Sequence, residues 1–368
     1  MLEDEGATCE SPRGEDMTTR AIALASSSSA TPAYTLKLAD CLTWMDDRSP
    51  NSIHAIVTDP PYGMKEYTTT EKEKLRNGHG GVWRIPPAFD GCQRAPLPRF
   101  TVLSEEEKES MQAFFLAFAR KAFRVLVPGA HVFIAANPLL SHLVYAPMME
   151  AGFEKRGEII RLVQTLRGGN RPKNAHEEFA NVTVMPRSAW EPWGLFRKPC
   201  EGRVQDNLRK WQAGGLRRIS SAQPFGDVIV SAPTRKEERA IAPHPSLKPQ
   251  AFMRQIVRAA LPLGVGTVFD PFMGGGSTIA AALAVGYESV GIELDETFFS
   301  MAKKAIPRLA ALTRTTQTTL FFQCRHSRSV SAMPADGQIL DSGNAGQGAG
   351  SLGKPPSVGK AGPRCRTR

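Results

Sequence analysis

The chain has 368 residues, with 46 Lys and Arg against 36 Asp and Glu, a formal net charge of +10. That length holds one large α/β domain with a smaller insertion and an ample core, and the positive balance suits a polyanionic partner, nucleic acid first among them. The six cysteines form no CxxC pair, no apolar run reaches membrane-spanning length, and the start Met1-Leu2-Glu3-Asp4-Glu5 lacks a cationic opening. These features argue against a disulfide framework, a zinc site, a membrane partner and an export signal, and the expected location is cytoplasmic.

In chain order, residues 1–32 carry few large apolar side chains and the run Ser26 to Ser29, and are expected to be disordered. Thr35 to Ala39 and Ile53 to Thr58 read as short buried strands. Residues 63–102 have little periodicity, and a loop this long is usually functional. A helix is expected from Glu105 to Leu126, with Met111, Phe114, Phe115, Phe118, Ala122, Val125 and Leu126 on one face; Pro128-Gly129 ends it and His131 to Ala135 forms a strand.

Residues 160–243 are irregular and basic, with arginines such as Arg167, Arg171, Arg187, Arg203, Arg217 and Arg218 interleaved with Trp190, Trp193 and Trp211. Arginine with aromatics grips phosphate and stacks on bases; a solvated face over a few core tryptophans fits the same pattern. A helix over Pro249 to Leu261, a strand over Thr267 to Asp270, a helix over Ser277 to Ala284 and a strand over Ser289 to Glu293 follow. The alternation predicts a mostly parallel, doubly wound α/β sheet in a domain spanning 33–313. Residues 314–368 are expected to form a disordered basic tail, with a non-specific nucleic-acid arm as the alternative.

Asp59-Pro60-Pro61-Tyr62 directly follows the strand ending at Thr58, and in parallel sheets ligands sit beyond the carboxyl ends of strands. The amino group of adenine or cytosine is a poor nucleophile because its lone pair is delocalised into the ring. An Asp59 carboxylate and the Pro60 carbonyl can each accept one amino hydrogen and free that lone pair. Pro60 and Pro61 stiffen the backbone, and Tyr62 offers a face on which an extruded base can stack. A rigid proline turn after a strand is the plainer alternative.

Asp270-Pro271-Phe272-Met273-Gly274-Gly275-Gly276-Ser277-Thr278 is a strand end, a glycine turn and a helix start. Gly274 to Gly276 allow close approach of a ligand to the backbone, and the helix from Ser277 points its N–H groups and positive dipole there. Glu293 lies 23 positions after Asp270, about where a carboxylate takes ribose hydroxyls. Gly276 stands where an ATP-binding P-loop needs Lys, and the GxGxxG fingerprint is absent, so adenosine without a polyphosphate suits the segment better. Upstream, His244-Pro245-Ser246-Leu247-Lys248-Pro249 leads into the helix: Ser246 or a neighbour can cap it, Pro249 suits its first turn, and Lys248 can attract a carboxylate.

Taken together, Asp59-Pro60-Pro61-Tyr62 and the glycine segment resemble the amino-methyltransferases of DNA, in the order of their circularly permuted beta group. The likeness covers about residues 35–155 and 244–312. It implies a Rossmann-like methyltransferase fold with seven strands and S-adenosylmethionine as cofactor, bound by Asp40, His244, Ser246, Lys248, Asp270, Phe272, Gly274, Gly276, Ser277 and Glu293. Asp40 matches the family's Gly-Asp position, with Ala39 in place of Gly. Residues 63–102 would be a mobile loop over the active site and 160–243 the target-recognition insert. The resemblance implies double-stranded DNA as partner and no metal, and allows a homodimer and a separate restriction endonuclease. Asp at position 59 goes more often with adenine N6 than with cytosine N4 in that family. The alternatives are cytosine N4, an RNA or protein amide methyltransferase, and a non-catalytic DNA-binding module.

Overall fold

A computed structural model describes residues 33–61, 103–163, 169, 171–172 and 174–312. The start over 1–32, Tyr62, the loop over 63–102, Arg167 and the tail over 314–368 lie outside the described residues.

The strands are β1 (Tyr34–Leu38), β2 (Ile53–Thr58), β3 (Leu126–Ala135), β4 (Glu154–Leu162), β5 (Trp190–Arg197), β6 (Val228–Val230), β7 (Thr267–Asp270) and β8 (Glu288–Glu293). The helices are α1 (Cys41–Asp46), α2 (Glu105–Val125), α3 (Ser141–Glu150), α4 (Val204–Trp211), α5 (Lys236–Ile241), α6 (Gln250–Ala260), α7 (Ser277–Val285) and α8 (Glu296–Ala311). One sheet runs in the order β1-β8-β7-β2-β3-β5-β4-β6. Its pairings are parallel except those of β5, which is antiparallel to both β3 and β4. The expected mostly parallel α/β sheet is present, with eight strands among the described residues where seven were expected; the short β6 on the edge is easily missed by pattern.

The central strands are covered on both faces and are therefore almost continuously apolar: Ile53, Ala55, Ile56 and Val57 on β2 are all buried. Helix α2 starts in a capping box, in which Ser104 Oγ accepts from the Glu107 amide and the Glu107 carboxylate accepts from the Ser104 amide. It buries Met111, Phe115, Phe118, Ala119, Ala122 and Val125 against the sheet, and Phe114 and Phe118 reach the ring of Phe272.

Pro128-Gly129 does not separate helix from strand. The helix ends at Val125, and β3 begins at Leu126 and runs through both residues. The register shifts there, from Ile53↔Leu126 to Ala55↔His131. Gly129 supplies the bulge at φ +79° and donates its amide to the Lys198 carbonyl at 3.0 Å.

Residues 160–243 are not wholly separate from the sheet, since β5 and β6 lie within them. Trp193 is fully buried against Phe252 of α6, so it is a core residue. Several of the basic side chains are satisfied internally: Arg203 and Arg209 pair with Asp206, Lys210 with Glu201, and Arg217 donates to the Tyr287 hydroxyl. Arg171, Arg187 and Arg218 are exposed. Among the described residues, no helix is long and apolar enough to cross a membrane.

Candidate active site

The carboxyl ends of β2 and β7 lie side by side, because the two strands pair with Ala55 opposite Val268 and Ile56 opposite Phe269. The segments leaving them are therefore neighbours in space despite their distance in sequence. Asp59, His244, Lys248, Phe272, Gly274 and Thr278 line one pocket, with Ser246, Asp270 and Ser277.

Asp59 is tightly enclosed. Its Oδ2 lies 2.6 Å from Lys248 Nζ, while its Oδ1 is buried without a hydrogen-bond partner. Pro60 is buried behind it and Pro61 is exposed. Lys248 Nζ also lies 3.4 Å from Glu191 Oε1. Glu191 is held further by the Trp193 indole N–H on Oε1 at 2.9 Å and by Arg161 on Oε2 at 3.0 Å. Two acids and two cations thus form one chain: Asp59, Lys248, Glu191, Arg161.

The two acids respond differently to their enclosure. Burial raises the pKa of Asp59 above the usual carboxylate range, and Lys248 only partly offsets this. Burial pushes Glu191 the same way, but Lys248 and Arg161 together prevail and hold it below that range. Glu191 has two cations at contact and Asp59 has one.

The glycine turn is built for close approach. Gly274 sits at φ +48°, and a Cβ there would come within 2.9 Å of the His244 ring; at Gly275 it would come within 2.9 Å of His244 Cβ. Gly276 is at φ +84° and packs inward, where a Cβ would meet Ile306 Cγ1 at 2.5 Å. It is the N-cap of α7, whose first residues Ser277 and Thr278 are buried.

Glu293 at the end of β8 accepts the Gly274 amide on Oε2 at 2.8 Å and the Leu294 and Asp295 amides on Oε1 at 2.9 Å. This bonding fixes the carboxylate's orientation at the turn. Asp40 lies next to it, because the Ala39 amide donates to the Glu293 carbonyl at 2.9 Å. Its side chain caps α1 by accepting from the Thr43 amide and hydroxyl. Asp40, Gly276 and Glu293 flank the pocket without lining it.

Asp270 accepts from the Thr58 hydroxyl at 2.7 Å and from the Phe272 amide at 3.2 Å. Burial raises its pKa to about 6, against the lowering effect of its hydrogen bonds from Thr278, Thr58 and the Phe272 amide.

The upstream segment is held differently from its expected role as a cap. The N-cap of α6 is Pro249, with no side-chain cap bond, and the Gln250 amide donates instead to Glu238 Oε1 at 2.7 Å. The Ser246 amide donates to His244 Nδ1, and Ser277 Oγ accepts the Lys248 amide at 3.1 Å, which ties the segment to the glycine turn. His244 stacks edge-on to Phe298, and burial followed by the Lys248 charge lowers its pKa to about 4, so it is neutral at physiological pH. The ammonium of Lys248, expected to face a cofactor carboxylate, is engaged by Asp59 and Glu191.

Sequence reasoning did not single out Thr58, Arg161 or Glu191 for the site. An acid between two tryptophans, in Trp190-Glu191-Pro192-Trp193, was the available signal for the last of these. Tyr62 lies outside the described residues.

A family model described as DNA methylase matches residues 53–304. The chain is similar to the type II methyltransferase M.HindIII of Haemophilus influenzae, with 25% identity over 280 residues, covering 68% of this chain and 88% of the relative. It is similar to the type II methyltransferase M2.DpnII of Streptococcus pneumoniae, with 26% identity over 270 residues, covering 73% and 87%. Among solved structures it is similar to a DNA modification methylase from Thermus thermophilus, with 19% identity, TM-score 0.49, and coverage of 76% of this chain and 97% of the other. A PvuII DNA methyltransferase described as cytosine-N4-specific matches with 13% identity, TM-score 0.49, and coverage of 78% and 91%.

Proposed function

The chain belongs to the N6/N4 DNA methylase family, and on that premise we propose that it methylates N6 of an adenine extruded from double-stranded DNA, with S-adenosylmethionine as donor. The observation that carries the proposal is the buried, unpartnered Oδ1 of Asp59, beside a glycine turn with no room for side chains. A lone acceptor kept from water at the mouth of a strand is a costly arrangement unless a donor arrives to use it.

When bound, S-adenosylmethionine supplies an electrophilic methyl group on a sulfonium. The residues that would hold it are Gly274 and Gly276 in the turn, Asp270 and Phe272 before it, Ser277 at the helix start, Glu293 and Asp40 beside it, and His244 and Ser246 across the pocket, while the ammonium of Lys248 stays with Asp59 and Glu191. The fit rests on the pocket that Asp270, Phe272, Gly274, Gly275 and Ser277 line together, and on the Glu293 carboxylate fixed at the turn by backbone amides. Asp59 Oδ1 and the Pro60 carbonyl accept the two amino hydrogens, which draws the nitrogen lone pair out of the ring. Asp59 then takes the proton that the nitrogen sheds after alkylation, and its raised pKa suits that task. Tyr62 stacks on the extruded base, and Pro61 stiffens the turn.

The proposal extends to residues 160–243 as the target-reading region, with exposed Arg171, Arg187 and Arg218 on phosphates. It includes a cytoplasmic setting in which a homodimer and a separate restriction endonuclease are compatible partners.

Adenine is preferred over cytosine because Asp stands at position 59, the residue that accompanies adenine more often in enzymes of this kind. The test is expression in cells lacking DNA methylation, followed by digestion and mass spectrometry of the nucleosides. N6-methyladenine is expected. N4-methylcytosine without methylated adenine would reverse the base assignment, and unmodified DNA beside methylated RNA or protein would replace the substrate.

A further inference from the structure

Asp59 is left with one free oxygen, and the reason lies one residue further along the charge chain. Lys248 is an ammonium with three donors placed between two carboxylates, 2.6 Å from Asp59 Oδ2 and 3.4 Å from Glu191 Oε1. An ammonium facing Asp59 alone is free to turn one of its three donors to Oδ1 as well as Oδ2 and so occupy the acceptor that the reaction needs. Glu191 prevents this by taking a share of the same charge, and it is itself fixed by Arg161 and the Trp193 indole. Arg161 is held in turn by the Ser231 hydroxyl at 3.1 Å and the Ala232 carbonyl at 3.1 Å.

We propose that Glu191 is a positioning residue for methyl transfer: by sharing Lys248 it keeps that ammonium on Oδ2 of Asp59, so that Oδ1 stays open to an amino hydrogen of the target base. The inference rests on the reading of Asp59 as the amino-hydrogen acceptor. It assigns Lys248 to the protein's own carboxylates and gives β4 and β5, outside both sequence motifs, a part in catalysis.

Among the described residues, the charged and titratable groups facing Asp59 are Lys248 from the segment before α6, Glu191 from β5, Arg161 from β4 and Asp270 from β7, with His244 lining the same pocket. In this setting the Glu191 charge raises the pKa of Asp59, whereas Lys248 and Arg161 lower it. Removing the Glu191 charge therefore eases ionisation of Asp59 while giving Lys248 wholly to it. The result is a pairing that a purely structural residue would not produce: slower chemistry together with an acid limb displaced to lower pH.

The experiment uses Glu191→Gln and Glu191→Asp in the full chain, with single-turnover transfer of labelled methyl from S-adenosylmethionine to unmethylated duplex DNA across pH, and with cofactor affinity measured by calorimetry. For Glu191→Gln the plateau rate is expected to fall about 10-fold or more, the acid limb to move down in pH, and cofactor affinity to stay within about 3-fold. Glu191→Asp keeps the charge but not the reach, so its plateau falls while its acid limb stays near that of the wild type; it carries the test if the Gln variant does not fold. An unchanged plateau, or a fall with the acid limb unmoved in the Gln variant, overturns the role of Glu191 and leaves Asp59 as acceptor. A wild-type protein that methylates no DNA overturns the underlying reading and this inference with it.

Discussion

The Thr58 hydroxyl donates to the Asp270 carboxylate at 2.7 Å in the interior, across 212 positions of sequence. The last residue of β2 is thus bonded to the last residue of β7, and the two segments that form the pocket share one hydrogen bond at their base. Thr58→Val keeps shape and removes this donor, leaving a buried acid less satisfied. A loss of about 1–3 kcal/mol is expected, read as a drop of about 2–6 °C in thermal midpoint. An unchanged midpoint would show that the bond contributes nothing net.

Asp59→Ala removes the free oxygen while leaving the glycine turn intact. Methyl transfer should fall at least about 100-fold, as for loss of a preorganised transition-state contact. Calorimetric affinity for S-adenosylmethionine should change little. Equal activity in the variant would remove Asp59 from catalysis.

Gly274→Ala places a Cβ 2.9 Å from the His244 ring at φ +48°. The ring or the turn must shift, and the Gly274 amide is then less well aimed at Glu293. The effect should appear as weaker cofactor binding, about 10-fold or more, with a smaller change in maximal rate at saturating cofactor. A rate loss without an affinity loss would place the turn's role in chemistry instead.

Asp270 gives a pH signature. Its folded pKa is about 6 against an ordinary value of 3.8, so ionisation is harder in the folded state. Its effect on stability is absent below about pH 4 and becomes a penalty as pH rises through about 6. Asp270→Asn keeps an oxygen acceptor for Thr58 and the Phe272 amide but carries no charge. Relative to the wild type, the Asn variant should gain about 1–3 kcal/mol between pH 4 and pH 7 in denaturant titrations. A wild-type-minus-variant difference that is flat across this range would refute it.

The parallel core was legible because its strands are buried on both faces and read as nearly continuous apolar runs, as in Ile53 to Val57, which only His54 interrupts. The pocket residues Asp59, Asp270 and Gly274 were legible because each sits at a strand end or in a turn, where local sequence carries the geometry. Trp193 and Glu191 were harder to read. Both lie on a strand that pairs antiparallel with β3 and β4, and their roles depend on Phe252 and Lys248, which arrive from much later in the chain. Arginine and tryptophan interleaved in a sequence look alike whether they face solvent or one another. The break expected at Pro128-Gly129 failed for a related reason: Gly129 bulges within a strand whose neighbour takes up the shift.

The strand order has a consequence for how the chain is made. Among the described residues, β1 pairs only with β8, the first strand with the last. During synthesis β1 leaves the ribosome early and must wait for most of the domain before its edge is covered, and β2 waits for β7 in the same way. Half-made chains would expose two unsatisfied strand edges, so a nascent chain stalled before Thr267 would be a better client for chaperones than one stalled after Glu293.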